Sequence, residues 1–405
     1  MTTTQTRRSR TSVLIVDDRP GTFTNNALSR TDIDVVLLRF PAERATSYLE
    51  RWKHLPAFEV RSDESLENAA ARYEVFVDGL TNKPSWFCNP HEPLQAEAQA
   101  FAGLVGLPHL TERQVSWVRE KPAMKDRYAE LGIPHAEYAL VQSTADVEEF
   151  ADRHGWPVIV KPIDSFACIG TYRADSPAQV PELTAGVSWT VERYIRGREF
   201  QLCALVTDGQ VRAAFLSANP RPVLEVLDGA MNANITYSRG EDHPIDEAAL
   251  CQQLVDAFGI THGYFHGECF LTEDGDFVMS EIAARISGCE VPENHGRAYG
   301  FDIHRAILDS YCNQDPAVSF TRDSAVGDLL LPVSPGRVRH VSDWDVLANL
   351  PGVTGGRIKV SVGDILDPPR ASMASSGYVH VEGRDVHEVE ARMQHVLEAY
   401  TIVVK

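Results

Sequence analysis

Runs of apolar residues alternate with segments of helical spacing through the first quarter of the chain. Ser12–Asp17 (SVLIVD) and Asp34–Phe40 (DVVLLRF) have the pattern of buried strands, and Tyr73–Gly79 (YEVFVDG) repeats it. Continuous apolar strands separated by helices are typical of a parallel sheet that is covered on both faces. This part of the chain is therefore predicted to form a small α/β domain.

Two adjacent acids, Asp17 and Asp18, end the first predicted strand. Such a pair is found in phospho-acceptor receiver domains, but the segment after Tyr73 lacks the Thr/Ser and Lys strand ends that such a domain needs. We therefore favour ordinary strand-end acids, which in α/β sheets often face a ligand crevice.

Beyond residue 90 the pattern changes to helices followed by short strands and hairpins, which is typical of α+β architecture. The predicted helices are Glu92–Val105, Thr111–Leu131, Ala248–Phe258, Asn294–Tyr311 and Val386–Ala399. The predicted strands include Trp156–Pro162, Trp189–Ile195 and Glu199–Val206. From about Asp315 onward, short strands and Pro-Gly turns predict a further small α+β unit.

An acidic hairpin is predicted at residues 267–288, where Asp274-Gly275 is a strong tight-turn dipeptide between two apolar runs. If the loop is symmetric about this pair, Glu273 faces Asp276 and Glu268 lies directly across from Glu281. Facing carboxylates in adjacent strands repel each other unless a cation or a shared proton relieves them. The hairpin therefore predicts a divalent-metal site, with a surface hairpin of solvated acids as the alternative.

The overall charge excludes several classes of partner. The chain has 38 basic and 57 acidic residues, a formal net charge of −19. This balance argues against general nucleic-acid or anionic-membrane binding, although a local basic site for phosphate is still allowed.

Location is predicted from the cysteines and the apolar runs. The seven cysteines are scattered without a CxxC pair, which suits a reducing compartment. No apolar run approaches the roughly 18 residues that a membrane span needs, and the run Val13–Val16 is too short for a signal peptide. We therefore expect a cytoplasmic protein.

Two further motifs suggest nucleotide chemistry. Lys161 ends an apolar strand just before a turn-like segment, where a cation could meet a phosphate, although lysines also close many strands for solubility. Residues 192–199 (ERYIRGRE) place an acid on either side of a glycine turn. An extended backbone there could contact an adenine edge and a carboxylate could accept from ribose; a solvated charged turn is the alternative.

In this order the motifs resemble the ATP-grasp superfamily, in which two α+β subdomains clasp ATP, and within it the carboxylate–amine ligase branch. The resemblance is specific from about Arg119 to Leu308. EKPAMKDRYAELGIPHAEY, WPVIVKP, VERYIRGREF and GECFLTEDGDFVMSEIAAR are similar to the family's first lysine segment, second lysine strand, hinge and metal-binding strands. The implied fold is an N-terminal parallel-sheet α/β domain, a two-subdomain ATP-grasp fold and a small C-terminal α+β domain.

The resemblance also implies roles for individual residues. ATP would be bound by Lys121, Lys161, Ser165, Gly170, Glu192, Arg193, Ile195 and Glu199. Mg²⁺, with Mn²⁺ as an alternative, would be held by Glu268 and Glu281, and Arg285 would be the catalytic arginine. His266, Ser287 and Gly288 are predicted to line the substrate pocket.

The chain departs from the family pattern in two places. Many members read E-x-N-x-R at the last motif, where the Asn is a further metal ligand, but this chain has Ala283 there. We interpret EIAAR as a marker of the amino-acid ligase branch, which leaves a second Mg²⁺ open. The loop that would cover the phosphates has only one glycine, Gly170, so its closure would rely on Ser165 and backbone amides.

The implied reaction is the ATP-dependent joining of a small carboxylic acid, such as an amino acid, to an amine through an acylphosphate, as in L-amino-acid ligases that form dipeptides. A carboxylase or formate-using ligase of the same superfamily, and a non-catalytic ATP-binding regulatory module, are the alternatives. A Rossmann oxidoreductase is disfavoured because DDRPG, not GxGxxG, follows the first strand.

Four domains are predicted: residues 1–115, an N-terminal α/β domain; 116–195, the small ATP-grasp subdomain; 196–315, the large subdomain with the metal site; and 316–405, a C-terminal extension. The expected partners are small-molecule substrates and, as is common in the family, a second copy of the chain in a homodimer.

Overall fold

The computed structural model describes residues 10–17, 21–369 and 371–405, without the side chains of residues 227 and 228. Asp18 lies outside these residues. The described chain folds into one parallel and three antiparallel sheets with helices packed on them. The predicted combination of α/β and α+β architecture is confirmed.

The N-terminal part is a four-stranded parallel sheet of order β3-β2-β1-β4, covered on both faces. Val13 and Ile15 pack into one core, whereas Leu14 and Val16 pack into the other, as the two-residue period of a strand requires. The elements are β1 Ser12–Val16, α1 Thr22–Leu28, β2 Asp34–Arg39, α2 Thr46–Trp52, β3 Ala57–Glu59, α3 Leu66–Asp78, β4 Trp86–Cys88 and α4 Gln95–Leu104.

The strand predicted at Tyr73–Gly79 is wrong, because these residues form the end of helix α3. Ser65 caps this helix by accepting a hydrogen bond from the Asn68 backbone. Tyr73 and Val77, four residues apart, are buried, while Val75 between them is 75% exposed. The apolar run therefore follows a helical period, and the sheet takes its remaining strands from β3 and β4.

The next part is a four-stranded antiparallel sheet of order β5-β8-β6-β7, preceded by two helices. Its elements are α5 Glu112–Arg119, α6 Lys121–Glu130, β5 Tyr138–Val141, α7 Thr144–His154, β6 Val158–Pro162, β7 Tyr172–Ala174 and β8 Trp189–Arg193. The single helix predicted at Thr111–Leu131 is divided at Glu120, whose backbone is extended. Pro122 follows at the start of α6, where a missing N–H costs nothing.

A large antiparallel sheet begins with β9 and carries the predicted acidic hairpin as its edge strands β12 and β13. Its elements are β9 Gly197–Thr207, β10 Gln210–Ala218, β11 Asn232–Thr236, α8 Glu247–Phe258, β12 Gly263–Thr272, β13 Phe277–Ala283, α9 Val291–Tyr299 and α10 Ile303–Tyr311. The helix predicted at Asn294–Tyr311 is two helices, since Gly300, at φ +75°, ends α9 in the left-handed conformation.

The C-terminal strands extend the same large sheet, whose order is β13-β12-β9-β10-β11-β14-β18-β16. The elements are β14 Ala325–Leu331, β15 Gly336–Val341, α11 Trp344–Ala348, β16 Val353–Ile358, β17 Ile365–Leu366, β18 Gly377–Gly383, α12 Val386–Ala399 and β19 Ile402–Val404. Strands β17, β15 and β19 form a separate small sheet. No helix in the described parts of the chain is long and apolar enough to span a bilayer.

Candidate active site

A cavity of about 520 Å³ lies between the four-stranded sheet β5-β8-β6-β7 and the large sheet. It is also lined by N-terminal loop residues such as Pro90 and Glu92. All the residues predicted to form the site line this cavity except Gly170. Gly170 lies in the adjoining loop at φ +69°, where an added Cβ would lie 3.2 Å from the Pro162 ring. The residues are thus brought together from five strands, a helix and three loops.

The acidic hairpin pairs Glu268 with Glu281, as predicted. Both residues line the cavity, and the Glu281 carboxylate lies 2.9 Å from the Lys161 ammonium group. The alternative of a surface hairpin with solvated acids is therefore wrong for this pair.

The pairing arises from a different register than the one predicted. Thr272, not Glu273, pairs with Asp276, leaving a three-residue loop that Gly275 closes at φ +86°. A β-bulge at Ser280 then adds one residue to β13 and realigns the two glutamates. Bulges of this kind re-aim side chains and are frequent beside active sites.

Three almost fully buried lysines converge on two glutamates. Lys161 Nζ lies 2.9 Å from Glu281 and 3.2 Å from Glu192, and Lys125 Nζ lies 3.2 Å from Glu192. Lys121 Nζ lies 3.8 Å from Glu281 and donates a 2.6 Å hydrogen bond to the Ser165 carbonyl. Three ammonium groups at one end of a cavity form a concentrated positive field suited to a polyanion such as a triphosphate.

Burial and ion pairing compete in setting the protonation of this cluster. Burial lowers the pKa of Lys121 and Lys125 below the ordinary value despite their glutamate partners. Burial alone would also lower the pKa of Lys161, but Glu192 and Glu281 outweigh it and raise that pKa. Burial would raise the pKa of each glutamate, but the nearby lysines hold both below the usual range. The two glutamates are therefore ionised at neutral pH.

The hinge between β8 and β9 carries four of the predicted residues. Ile195 packs with Ala136 and Val278 as an apolar wall of the cavity. Arg193 lines the cavity, and its guanidinium lies 2.5 Å from the Glu137 carboxylate. Glu199 is 5% exposed and accepts a 2.8 Å hydrogen bond from the Val223 backbone. This corner combines an apolar surface with buried polar groups, as small-molecule sites do.

Arg285 is held by an acid from a distant part of the chain. Its guanidinium donates to Glu92, which precedes α4, and to the Ile286 carbonyl at 2.8 Å. Arg119 lies 3.6 Å from the same Glu92 carboxylate. Glu92 therefore fixes two arginines at the cavity wall and ties the N-terminal domain to the site.

The residues predicted to line the substrate pocket include His266, which contacts Glu268. His266 Nε2 lies 3.1 Å from Glu268 Oε1, and its Nδ1 lies 3.8 Å from the Cys203 thiol. Burial would lower the pKa of His266, but these two partners raise it to about 9, so the ring is cationic at pH 7. Ser287, which contacts the Tyr264 hydroxyl at 3.3 Å, and Gly288 continue the wall.

Several site residues were missed by the sequence reasoning. Lys125 could have been found, because it lies four residues after Lys121 and so shares its helix face. Asp328 is a lone acid within an apolar strand, AVGDLLL, which is also a signal. Glu92 and Glu290 carried no such signal, since their places depend on contacts far away in sequence.

A Mg²⁺ ion fits the donor chemistry of this site. Glu268 and Glu281 supply carboxylate oxygens, and Mg²⁺ in phosphate sites is commonly held by one or two carboxylates plus the phosphates themselves. No group of three or more His, Cys, Asp or Glu side chains placed to hold a metal occurs in the described parts of the chain. Ala283 lines the cavity without offering a ligand.

Comparisons with known proteins agree with this picture. Residues 329–405 match the family model described as L-amino acid ligase C-terminal domain 2. An L-arginine-specific L-amino acid ligase of Bacillus subtilis is 23% identical over 299 residues, covering 70% of this chain and 71% of that protein.

Two solved structures share the fold over almost the whole chain. The L-amino acid ligase from Bacillus licheniformis has a TM-score of 0.74 at 18% identity, covering 98% of this chain and 99% of its own. The N5-carboxyaminoimidazole synthase of Aspergillus clavatus, solved with ADP, has a TM-score of 0.70 at 18% identity, covering 96% and 98%. The chain is therefore similar in sequence to L-amino acid ligases and D-alanine–D-alanine ligases, and it shares the fold of an L-amino acid ligase over almost its whole length.

Proposed function

We propose that the enzyme uses ATP to join an amino acid, or a related small carboxylic acid, to an amine. The observation that carries the proposal is the convergence of Lys121, Lys125 and Lys161 with the facing pair Glu268 and Glu281 in one cavity. The amino-acid ligases among its relatives support an amino acid as the activated acid.

The reaction is balanced in two steps. A carboxylate oxygen of the acid attacks the γ-phosphorus of ATP, the bond to the bridging oxygen breaks, and ADP leaves with its electron pair. The amine nitrogen then attacks the acyl carbon, inorganic phosphate leaves, and the nitrogen loses its proton to form the amide. Neither step requires a protein nucleophile.

The residues have separate roles in this proposal. Lys121 and Lys161 bind the phosphates and lower the repulsion between them and the incoming carboxylate. Ser165 and the loop that carries Gly170 cover the phosphates, while Glu192, Arg193, Ile195 and Glu199 surround the adenosine. Arg285 is positioned by Glu92 to stabilise negative charge at the acyl group.

Magnesium, or manganese in its place, would be held by Glu268 and Glu281. When bound, the ion supplies charge neutralisation at the phosphates, which is its usual part in phosphoryl transfer. His266, through its contact with Glu268, orients that carboxylate and lines the substrate pocket with Ser287 and Gly288.

The loss of Glu281 tests the proposal. Glu281→Gln keeps the side-chain shape but removes the charge that faces both lysines and the metal, so kcat for ADP release should fall at least ~100-fold. Glu273→Gln, an exposed acid in the loop of the same hairpin, is the matched control and should keep wild-type activity. The measurement is ADP release across a panel of amino-acid pairs.

Other results would contradict the assignment. ADP release that needs no amine, or a fully active Glu281→Gln enzyme, would rule out the proposed ligase. Turnover that depends on bicarbonate or formate would indicate a carboxylase or formate-using ligase, whereas tight Mg-ATP binding without turnover would indicate a regulatory module.

We also propose the four-domain division given above, a cytoplasmic location and a homodimer. The seven free thiols suit a reducing compartment. Sedimentation of the full chain tests the dimer: a mass near twice 44.9 kDa is expected, and a monomer at micromolar concentration would contradict it.

A further inference from the structure

Two acids of the cavity wall, Asp328 and Glu290, lie outside the lysine cluster and have no role in the mechanism proposed above. Asp328 on β14 lies directly opposite Asn234 on β11, so both side chains are on one face of the large sheet. Glu290, at the start of α9, lines the same cavity, and its charge contributes to raising the pKa of Asp328. Asp328, Glu290 and Asn234 are called the acidic end below.

Buried amide atoms beside Asp328 lack hydrogen-bond partners. Asn234 Nδ2 donates to Asn219 Oδ1 at 2.9 Å, and the other amide atoms of the pair, Asn234 Oδ1 and Asn219 Nδ2, are buried without a partner. Asn294 donates to Asp328 Oδ1 at 2.6 Å. A buried acceptor that lines a cavity without a partner has a free-energy cost unless a donor arrives there.

The acids at this end also lack a cationic partner. Within the described residues, no lysine or arginine nitrogen forms an ion pair with Asp328 or Glu290. Glu290 lies 3.9 Å from His380, but burial lowers the pKa of that ring to about 4, so it is neutral at pH 7. Burial raises the pKa of Asp328 to about 7, as expected for an uncompensated acid.

The neighbouring charged residues do not neutralise Asp328 and Glu290. Glu293 is already paired, with Arg297 at 3.2 Å and His304 at 3.1 Å. Lys359 and Arg357 lie farther away, where their charges lower the pKa of Glu290 without outweighing its burial. Since no ready-made metal cluster occurs among the described residues, a donor cation with several N–H groups suits this end better than a divalent metal.

We propose that the acidic end binds the ammonium group of a substrate, with Asp328 as the counter-ion and Asn234 Oδ1 as a second acceptor. At least one of the joined compounds therefore carries a protonated primary amine, either an α-ammonium group or a basic side chain. A nitrogen held in this way stays protonated, so it recognises the substrate and is not the attacking nucleophile. The inference rests on the proposed function in assuming that the cavity holds the substrates as well as ATP.

The test measures binding without turnover, by calorimetry in the presence of Mg²⁺ and a non-hydrolysable ATP analogue. The probes are L-lysine, L-norleucine, Nα-acetyl-L-lysine and Nα-acetyl-L-norleucine, which differ in which ammonium group they carry. Wild type should bind at least one ammonium compound ~10-fold or more tightly than Nα-acetyl-norleucine. Tighter binding of L-norleucine than of Nα-acetyl-norleucine identifies the α-ammonium group as the one recognised. Tighter binding of Nα-acetyl-lysine than of Nα-acetyl-norleucine identifies the side-chain ammonium group.

Asp328→Asn should abolish this preference, because it keeps the shape and the Asn294 contact but removes the charge. Asp315→Asn, whose side chain is 80% exposed, is the matched control and should retain the preference. Binding of the ATP analogue serves as the criterion that a variant is folded. If Asp328→Asn does not meet it, Glu290→Gln replaces that variant and should reduce the preference at least threefold.

The inference is overturned if wild type does not discriminate among the four probes, or if the folded charge-removal variant keeps the full preference. Either result leaves ADP formation by acid–amine pairs untouched, so failure of the inference can be distinguished from failure of the proposed ligase activity.

Discussion

Buried charge is concentrated in a few side chains of the cavity. Lys121, Lys125 and Lys161 are each at most 6% exposed, and Glu192 is 5% exposed. Burying charges is costly unless they pair, and removing one partner leaves the other uncompensated. Lys125 and Glu192 thus act on each other and on Lys161 as a unit, which preorganises the positive end of the cavity before any phosphate binds.

Glu199 gives the free enzyme a specific dependence of stability on pH. Burial, together with the charge of Glu268, raises the pKa of Glu199 to about 8. The folded state therefore holds this proton more tightly than the unfolded state does. The stabilisation is fully present below the unfolded pKa of about 4.5 and is lost as pH rises through about 8.

The free energy of unfolding should accordingly fall by up to ~3 kcal/mol between pH 6 and pH 9 through this residue alone. Glu199→Gln removes the titrating group and should flatten the pH dependence of the thermal midpoint over that range. An unchanged slope in the variant would show that Glu199 is already ionised in the folded protein.

Secondary-structure elements were predictable where one local period dominates. Strand β1 and helix α8 were found within one residue at each end, because each has a clear apolar pattern and strong end signals. The last half of helix α3 was wrongly predicted to be a strand, because YEVFVD has alternating apolar residues. It continues an alanine-rich helix that Ser65 caps.

The hairpin shows the limit of local reasoning more clearly. The pairing of Glu268 with Glu281 was predicted, but only because the extra residue in the loop and the bulge at Ser280 compensate for each other. Neither feature has an unambiguous sequence signal. Bulge position depends on the packing of β12 against β9, which the hairpin's own residues do not specify.

The backbones of β9 and β12 approach closely near the hinge, and this contact should be essential for stability and for ATP binding. A Cβ at Gly197 would lie 2.3 Å from the Leu271 carbonyl oxygen, so Gly197→Ala must move the start of β9, two residues before Glu199. We expect a loss of ~1–3 kcal/mol of stability and a higher KM for ATP.

Gly240→Ala is the control, because the nearest atom to its added Cβ is 4.0 Å away. It should change stability by no more than ~0.5 kcal/mol. Equal melting temperatures for the two variants would contradict the proposed strand contact.

In the molecule as a whole, the site is assembled from parts that are far apart in sequence. Arg285 meets Glu92, and Lys161 meets Glu281, across separations of 193 and 120 residues. The family resemblance predicted the lysines, the hinge and the glutamate pair, whose side chains do line one cavity. It did not predict Glu92 or the acidic end, because these depend on how the N-terminal sheet and strand β14 pack around the cavity.

Isotope transfer tests the central claim most directly. An acid substrate labelled with ¹⁸O in both carboxyl oxygens is turned over with ATP and an amine, and the released phosphate is examined by mass spectrometry. If the carboxylate is activated as an acylphosphate, one ¹⁸O atom should appear in inorganic phosphate for each amide formed. Unlabelled phosphate, or label in AMP, would contradict the account.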